Sequence, residues 1–384
     1  MQLLYKSAVR RLSVILPLLT VFCTCGCGDT NTDQVSGQPP RISVAQLFRA
    51  SVEEGFQKHE LPAVAAGLWR PGEQPVTVLL GDADVSSGRA VEATDHFRIG
   101  SVTKSFVVTV LLQLAQEGKL DLQDPISKYL PNLQNGDATL AQLANMTSGI
   151  FNYTEDQDFL LAFISDFSAA RSEQELLDAA NRHAPYFAPG FDWHYSNTNT
   201  VALGLVVEQV TGNTLSQELQ TRIFTPLALG STSYPSTADM PAPFAHGYLQ
   251  YDTGEPYVEQ SDTHPSASAG SGAIVSNLED LRVWGQALGS GSLLNQNFRT
   301  LQFQMVPTDG CPSCPEYDGY GLGVGTLEGW IGHTGDYIGY QALVMYDPRS
   351  ESVVVILINL KSFVDGTHVP TEIFQDFASA AGAL

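Results

Sequence analysis

Between Val102 and Glu117 the chain is apolar on nearly every side of a helix. Val102, Phe106, Val107, Val108, Val110, Leu111, Leu112 and Leu114 leave almost no polar face, and Gly118 ends the pattern. A helix apolar all round belongs in the interior, so the fold has to be built around this one. The polar residues at its head, Ser101 and Lys104, are carried inside with it. The chain has the material to do this: 384 residues, 43% of them hydrophobic and 16% charged, which describes a globular chain with a large core.

The elements around that helix follow an order. Ser43 to His59 has helical spacing through Val44, Leu47, Phe48, Val52 and Phe56. Strand-like runs follow at Ala63 to Trp69 and Pro75 to Leu80. Helices and loops then continue to about Pro243, including Thr198 to Val210, stopped by Gly212, and Leu215 to Phe224, followed by Pro226. Strand character returns at Tyr320 to Leu327, Gly329 to His333, Gln341 to Tyr346 and Val353 to Leu360, and a closing helix runs from about Pro370 to Ala381. Strands at both ends are accounted for if they join one sheet. The expected class is α+β: an antiparallel sheet flanked by N- and C-terminal helices, with an inserted, mainly helical region. The α/β part is expected at about 42–105 and 265–384, and the helical part at about 106–264.

The first 27 residues are of another kind. Lys6, Arg10 and Arg11 precede an apolar stretch from Leu12 to Cys23, the pattern of a secretory signal. Its twelve residues fall short of the roughly twenty that span a bilayer. Cys27 follows Gly26 and is followed by polar residues, so the leader resembles a lipoprotein signal with Cys27 as the lipidated residue. Thr24 departs from that pattern, and simple cleavage with release is the alternative. Residues 28–41 read as a tether, and 42–384 as the folded domain. The expected location is the bacterial cell envelope, exported, with a lipid anchor as one means of holding it at the membrane. A net charge of −22 repels phosphate backbones, so no nucleic-acid partner is expected.

Two cysteines remain outside the leader, Cys311 and Cys314. A Cys-x-x-Cys pair can be redox-active, half of a zinc site or a local disulfide. Four-ligand zinc wants a second pair, which the sequence lacks, and export favours the disulfide.

Three short motifs carry chemistry. Ser101 and Lys104 form the one Ser-x-x-Lys of the chain. Residues three apart share a helix face, so the amine lies beside the hydroxyl. An amine short of water favours its neutral form, and a neutral amine can take the proton that makes serine a nucleophile. The alternative is an N-cap serine followed by a surface lysine. Tyr195 and Asn197 place a phenol and an amide close together at a helix entry. The phenol can pass a proton and the amide can hold a substrate; the alternative is helix capping. His333, Thr334 and Gly335 follow a strand, where a glycine would let a substrate pair with the backbone edge and His333 could meet an anionic ligand or move a proton. A simple turn is the alternative.

Taken in order, Ser-x-x-Lys, Tyr-x-Asn and His-Thr-Gly make the sequence resemble the serine β-lactamase and penicillin-binding-protein superfamily. The nearest branch holds class C β-lactamases, D-Ala-D-Ala carboxypeptidases and related esterases. The resemblance runs from about residue 45 to the C-terminus and includes Phe97 to Ser101, Thr147-Ser-Gly and Tyr320-Gly-Leu-Gly. It implies that Ser101 is acylated, Lys104 is its proton partner and Tyr195 relays protons. It further implies that Asn197 binds a substrate amide and that His333, Thr334 and Gly335 line the ligand's carboxylate end. The N–H groups of Ser101 and Asp336 would form the oxyanion hole. No cofactor or metal ion is implied. The substrate would be a small peptide, ester or β-lactam, with a peptidoglycan stem peptide as one candidate.

The departures shape the expectation. Histidine at 333, where class C β-lactamases have lysine, shifts the weight toward a D-Ala-D-Ala carboxypeptidase-like or esterase-like enzyme, and the negative charge at Asp336 argues against strong selection for carboxylates. A class C-type β-lactamase is the alternative, as is a non-catalytic protein that binds peptidoglycan or β-lactams. Met146 replaces the histidine usual before Thr147-Ser-Gly and is expected to act at one remove from the substrate. If Cys27 is lipidated, cells fed a labelled lipid precursor will label the wild-type chain and leave Cys27→Ala dark; equal labelling of the two contradicts the assignment.

Overall fold

Val353 to Ile358 is a run of β-branched and apolar residues without polar alternation. A strand reads that way when both its faces are covered, and both are. The computed structural model describes residues 42–384 apart from 310, 312, 313, 365, 383 and 384. Within them, one eight-stranded sheet is built from β1 (Ala63–Trp69), β2 (Val76–Asp84), β3 (Arg89–Ala90), β4 (Gly319–Tyr320), β5 (Gly325–Leu327), β6 (Trp330–Tyr337), β7 (Tyr340–Tyr346) and β8 (Val353–Ile358). Their order across the sheet is β3-β2-β1-β8-β7-β6-β5-β4, and neighbours run antiparallel. The N-terminal strands therefore join the C-terminal ones through β1 and β8, with Val64 opposite Ile358 and Trp69 opposite Val353.

Side chains of β8 alternate between two cores. Val354, Ile356 and Ile358 pack with Phe48 and Phe377, which come from α1 (Val44–Lys58) and the closing helix. That closing helix is the fifth of the helices named here, after α2 (Thr103–Gln116), α3 (Asn197–Thr211) and α4 (Leu278–Ser290), so it is α5 (Val369–Gly382). Helix α1 starts at a capping box between Ser43 and Gln46, a local signal that fixes a helix start. Its Phe48 meets Phe377 of α5 edge to face at 5.3 Å. Gly55 lets the two helices close up, since a Cβ there would lie 2.3 Å from Ile373 Cγ1.

Val353, Val355 and Leu357 point the other way, into the core that holds α2 and α4. The ring of Phe106 on α2 stacks on Trp284 of α4 at 3.7 Å, and the Trp284 indole N–H donates to Ser105 Oγ at 3.0 Å. Residues 103–112 of α2 are all buried, Lys104 among them. The elements between α2 and the 265–271 turns are mainly helical and pack on the far side of α2. No described helix is long and apolar enough to cross a membrane. The leader, Cys27 and the tether lie outside the described residues.

Two strands differ from the sequence reading. Tyr320 to Leu327 is broken into β4 and β5, because Gly323 takes a left-handed φ of 69° directly over Val108. In the other direction, β6 does not stop at His333. It runs through Thr334, Gly335 and Asp336, paired with Leu343, Ala342 and Gln341, and turns at Ile338 and Gly339. The polar look of His-Thr-Gly-Asp hides a strand buried on most of its length.

Truncating the central stack tests this arrangement. Phe106→Ala is expected to lose about 3–5 kcal/mol of stability, read from the urea midpoint; a loss below about 1 kcal/mol would mean that α2 is not the packing centre.

Candidate active site

The head of α2 is laid flat against β6. A single 3-10 turn, Gly100–Val102, leads into the helix. Gly100 has φ 50°, and a Cβ there would lie 2.6 Å from the Asp336 carbonyl oxygen and 2.8 Å from its nitrogen. From the other side, a Cβ on Gly335 would lie 2.0 Å from the Ile99 carbonyl oxygen. Two glycines thus bring the Ser101 turn against the backbone of β6. The hairpin register turns the N–H of Asp336 away from β7 and toward that turn.

Lys104 is fully buried, with no ion pair among the described residues. Its Nζ has three polar neighbours: Ser101 Oγ at 2.9 Å, Asn197 Oδ1 at 2.7 Å and the Ser271 carbonyl oxygen at 2.7 Å. Burial pushes the amine well below its usual value, because the interior penalises an uncompensated charge. A neutral amine has two N–H donors and one lone pair. The two carbonyl oxygens accept the two hydrogens, which leaves the lone pair for the Ser101 hydroxyl proton. In the uncharged form that burial favours, the amine can therefore accept from Ser101.

Tyr195 closes the third side. Its ring lies 4.9 Å from Lys104 Nζ, and its buried hydroxyl meets no hydrogen-bond criterion among the described residues. Burial raises this phenol well above its usual value, and the Ser101 hydroxyl is the neighbouring group that opposes the rise. Tyr195 is therefore a protonated phenol. Its backbone N–H donates to Cys314 Sγ at 3.3 Å, so Cys314 holds it from outside. Cys311 and Cys314 are joined as a disulfide.

The remaining sequence-derived residues are placed less simply. Asn197 is at the site, but its amide is occupied by the protein. Its Nδ2 donates to Asn152 Oδ1 at 3.2 Å and to Thr154 Oγ1 at 3.3 Å, while its Oδ1 serves Lys104. Its observed work is to orient the base. The expectation that His333 faces a ligand does not hold. The ring is fully buried, with Nε2 at 2.8 Å from the Tyr320 hydroxyl and Nδ1 at 2.6 Å from the Thr334 carbonyl oxygen. Burial pushes it down to about 3, so it is neutral and offers no cation. Gly335 also differs from expectation: its lack of a side chain serves the Ile99 turn rather than an incoming strand, and its carbonyl oxygen is 2.9 Å from His368 Nε2. Thr334 does reach the open site, where it lines a pocket of about 630 Å³ together with Ser101 and Asp336. Its Oγ1 is 2.6 Å from the Tyr317 hydroxyl. The Asp336 carboxylate is paired with Lys361. Met146 sits behind Tyr195, its sulfur 3.5 Å from the Ser196 N–H nitrogen and 3.3 Å from Asn199 Nδ2, and so acts at one remove.

Sequence reasoning missed the Ser271 carbonyl, Asn152 and Glu316, which lines the pocket. Only the first left a trace, in the small-residue run Ser268-Ala-Gly-Ser-Gly; Gly270 there is needed because a Cβ would lie 2.7 Å from the Thr200 carbonyl oxygen.

Residues 44–375 match the Beta-lactamase family. The chain belongs to this family. A D-stereospecific amidohydrolase from Streptomyces sp. is 31% identical, with a TM-score of 0.74 over 88% of this chain and 98% of that one. A penicillin-binding protein from Bacillus halodurans shares the fold at 23% identity and a TM-score of 0.72, over 87% and 99% of the two chains. Among curated proteins, Protein flp of Staphylococcus aureus (strain COL) is 28% identical over 83% of this chain. The putative penicillin-binding protein PbpX of Bacillus subtilis (strain 168) is 26% identical over 73% of this chain and 66% of its own length. The alignment spans 63% of the length of the flp protein. Serine hydrolases of the Beta-lactamase family thus give the chemical class of the site.

The lowered Lys104 has a kinetic signature. The base works only when unprotonated, so labelling of Ser101 by a neutral fluorophosphonate is expected to rise with pH to a midpoint well below 10.5, the ordinary lysine value. With His333 neutral, no second limb is expected near pH 6.5. Labelling that rises only near pH 10 would contradict a neutral Lys104.

Proposed function

We propose that the chain is an exported serine hydrolase that cleaves small amides and esters of amino-acid type through an acyl-enzyme on Ser101. The observation that carries the reading is the Lys104 amine, buried without a counter-charge among the described residues and 2.9 Å from Ser101 Oγ.

The steps follow from the geometry. Ser101 Oγ attacks the substrate carbonyl while its proton passes to Lys104 Nζ. The developing oxyanion accepts hydrogen bonds from the N–H groups of Ser101 and Asp336. The Tyr195 phenol, protonated because it is buried, donates a proton to the leaving nitrogen or oxygen. It recovers one from Lys104, and the leaving group departs with its electron pair. Water then attacks the acyl carbon, gives up a proton through the same pair, and Ser101 is released.

The choice among amide, ester, peptide and lactam rests on charge. Among the described residues no lysine or arginine lines the pocket, and three acids do: Glu316, Asp336 and Glu372. With His333 neutral, nothing there would hold the free carboxylate of a D-Ala-D-Ala peptide or a β-lactam. This favours amidase or esterase action over the carboxypeptidase-like reading and over a β-lactamase. The similarity to a D-stereospecific amidohydrolase supports D-configured amino-acid amides as the first compounds to try. Intact Ser101, Lys104 and Tyr195 speak against a purely binding role. The basic and apolar leader supports export, and Cys27 would supply an anchor.

Incubation with D-phenylalanine p-nitroanilide is expected to release p-nitroaniline and leave a transient acyl adduct on Ser101 by mass spectrometry. Ser101→Ala should lower kcat by about a thousandfold or more. The C-terminal amide of a D,D-dipeptide should turn over faster than the free acid. Preference for the free acid would return the weight to the carboxypeptidase, and no turnover together with no adduct would end the hydrolase reading.

A further inference from the structure

Among the described residues, the mouth of the pocket carries one unpaired charge. Of its three acids, Asp336 is paired with Lys361, and Glu372 with Lys58 and His59. The third, Glu316, has no hydrogen bond or ion pair among the described residues and is exposed at the rim. His368, the remaining titratable side chain of the lining, is held below its ordinary value by burial and adds no cation. The mouth therefore has an excess of one carboxylate.

Glu316 is also held in place. Two residues before it, Cys314 is closed in the disulfide and accepts from the Tyr195 N–H. On its other side, the Tyr317 hydroxyl accepts from the Thr334 N–H at 2.9 Å and lies 2.6 Å from Thr334 Oγ1. The backbone on both sides of Glu316 is thus fixed to catalytic elements, one to the Tyr195 loop and the other to β6. Glu316 lines the same pocket as Ser101, and its carboxylate, left without a partner at the mouth, is open to a cation.

We propose that Glu316 is a specificity-determining residue that binds the primary ammonium group of the substrate, and that the preferred substrates are amino-acid amides or esters whose amine is free. The inference rests on the hydrolase reading above and adds the charged group that the site selects. An N–H donor on a charged amine paired with a carboxylate makes one of the stronger hydrogen bonds available. Acetylation of that amine removes the charge and leaves the scissile bond as it was.

The test compares D-phenylalanine p-nitroanilide with its N-acetyl derivative. Wild type is expected to favour the free amine by about tenfold in kcat/KM, mostly through KM. Glu316→Gln should bring the ratio of the two substrates close to one, Glu316→Asp should keep most of it, and Glu316→Lys should invert it. A role limited to holding the loop would lower both substrates together and leave the ratio unchanged. That result, or a wild type that favours neither compound, overturns the proposal. Equilibrium binding of the same pair to Ser101→Ala, which needs no turnover, reads the recognition separately. Preference for the free amine there supports Glu316 even if turnover fails, and equal binding counts against it. Fluorophosphonate labelling of Ser101 reports on the hydrolase reading alone.

Discussion

The site turns on a lysine amine taken out of water without a counter-charge. Burial alone would make Lys104 a costly residue at the head of an apolar helix. Two carbonyl oxygens, from Asn197 and Ser271, offset part of that cost by accepting its hydrogens. Neither is an anion, so neither restores the charged form. The two contacts satisfy the amine, and burial keeps it a base. Much of the surrounding structure can be seen as support for them: Asn152 and Thr154 orient Asn197, and the tight approach of Gly270 to Thr200 places the turn that ends in Ser271.

The second constraint is the contact between the Ser101 turn and β6. Gly100 and Gly335 bring backbone against backbone at distances no side chain would permit. That contact joins the sheet, which supplies Asp336, to the buried helix, which supplies Ser101 and Lys104. Tyr195 enters from a third element and is held by the sulfur of Cys314. Three parts of the chain thus meet around Ser101, and each is rigid for a reason that can be named. Preorganisation of this kind is what lets polar groups act on a transition state without first rearranging.

The electrostatics of the pocket set it apart from a site built for carboxylates. His333 sits at a position where a cation would serve such a ligand, yet it is buried among Tyr317, Tyr320 and Tyr195 and stays neutral. The charges that do reach the opening are acidic. Fold and nucleophile are shared across a family with many substrates, and the rim is where one member is set apart from another.

By itself the sequence determined what depends on local periodicity. The all-apolar helix, the capping box of α1, the β-branched run of β8 and the Ser101–Lys104 spacing are each readable within a few residues, because side-chain repeats of 3.6 and 2 report burial directly. The order of the three motifs was also legible. What only the tertiary structure decided lies in contacts between distant residues. Lys104 meets Asn197 across 93 positions and Ser271 across 167, and no local pattern says that both would offer carbonyl oxygens. The polar stretch from His333 to Asp336 gave no sign that it forms a buried strand, because its hydrogen-bond partners on β7 and the tyrosines that enclose it are supplied by other segments. Glu316 was silent for the same reason: an exposed acid in a loop acquires meaning only when folding leaves it unpaired beside the nucleophile.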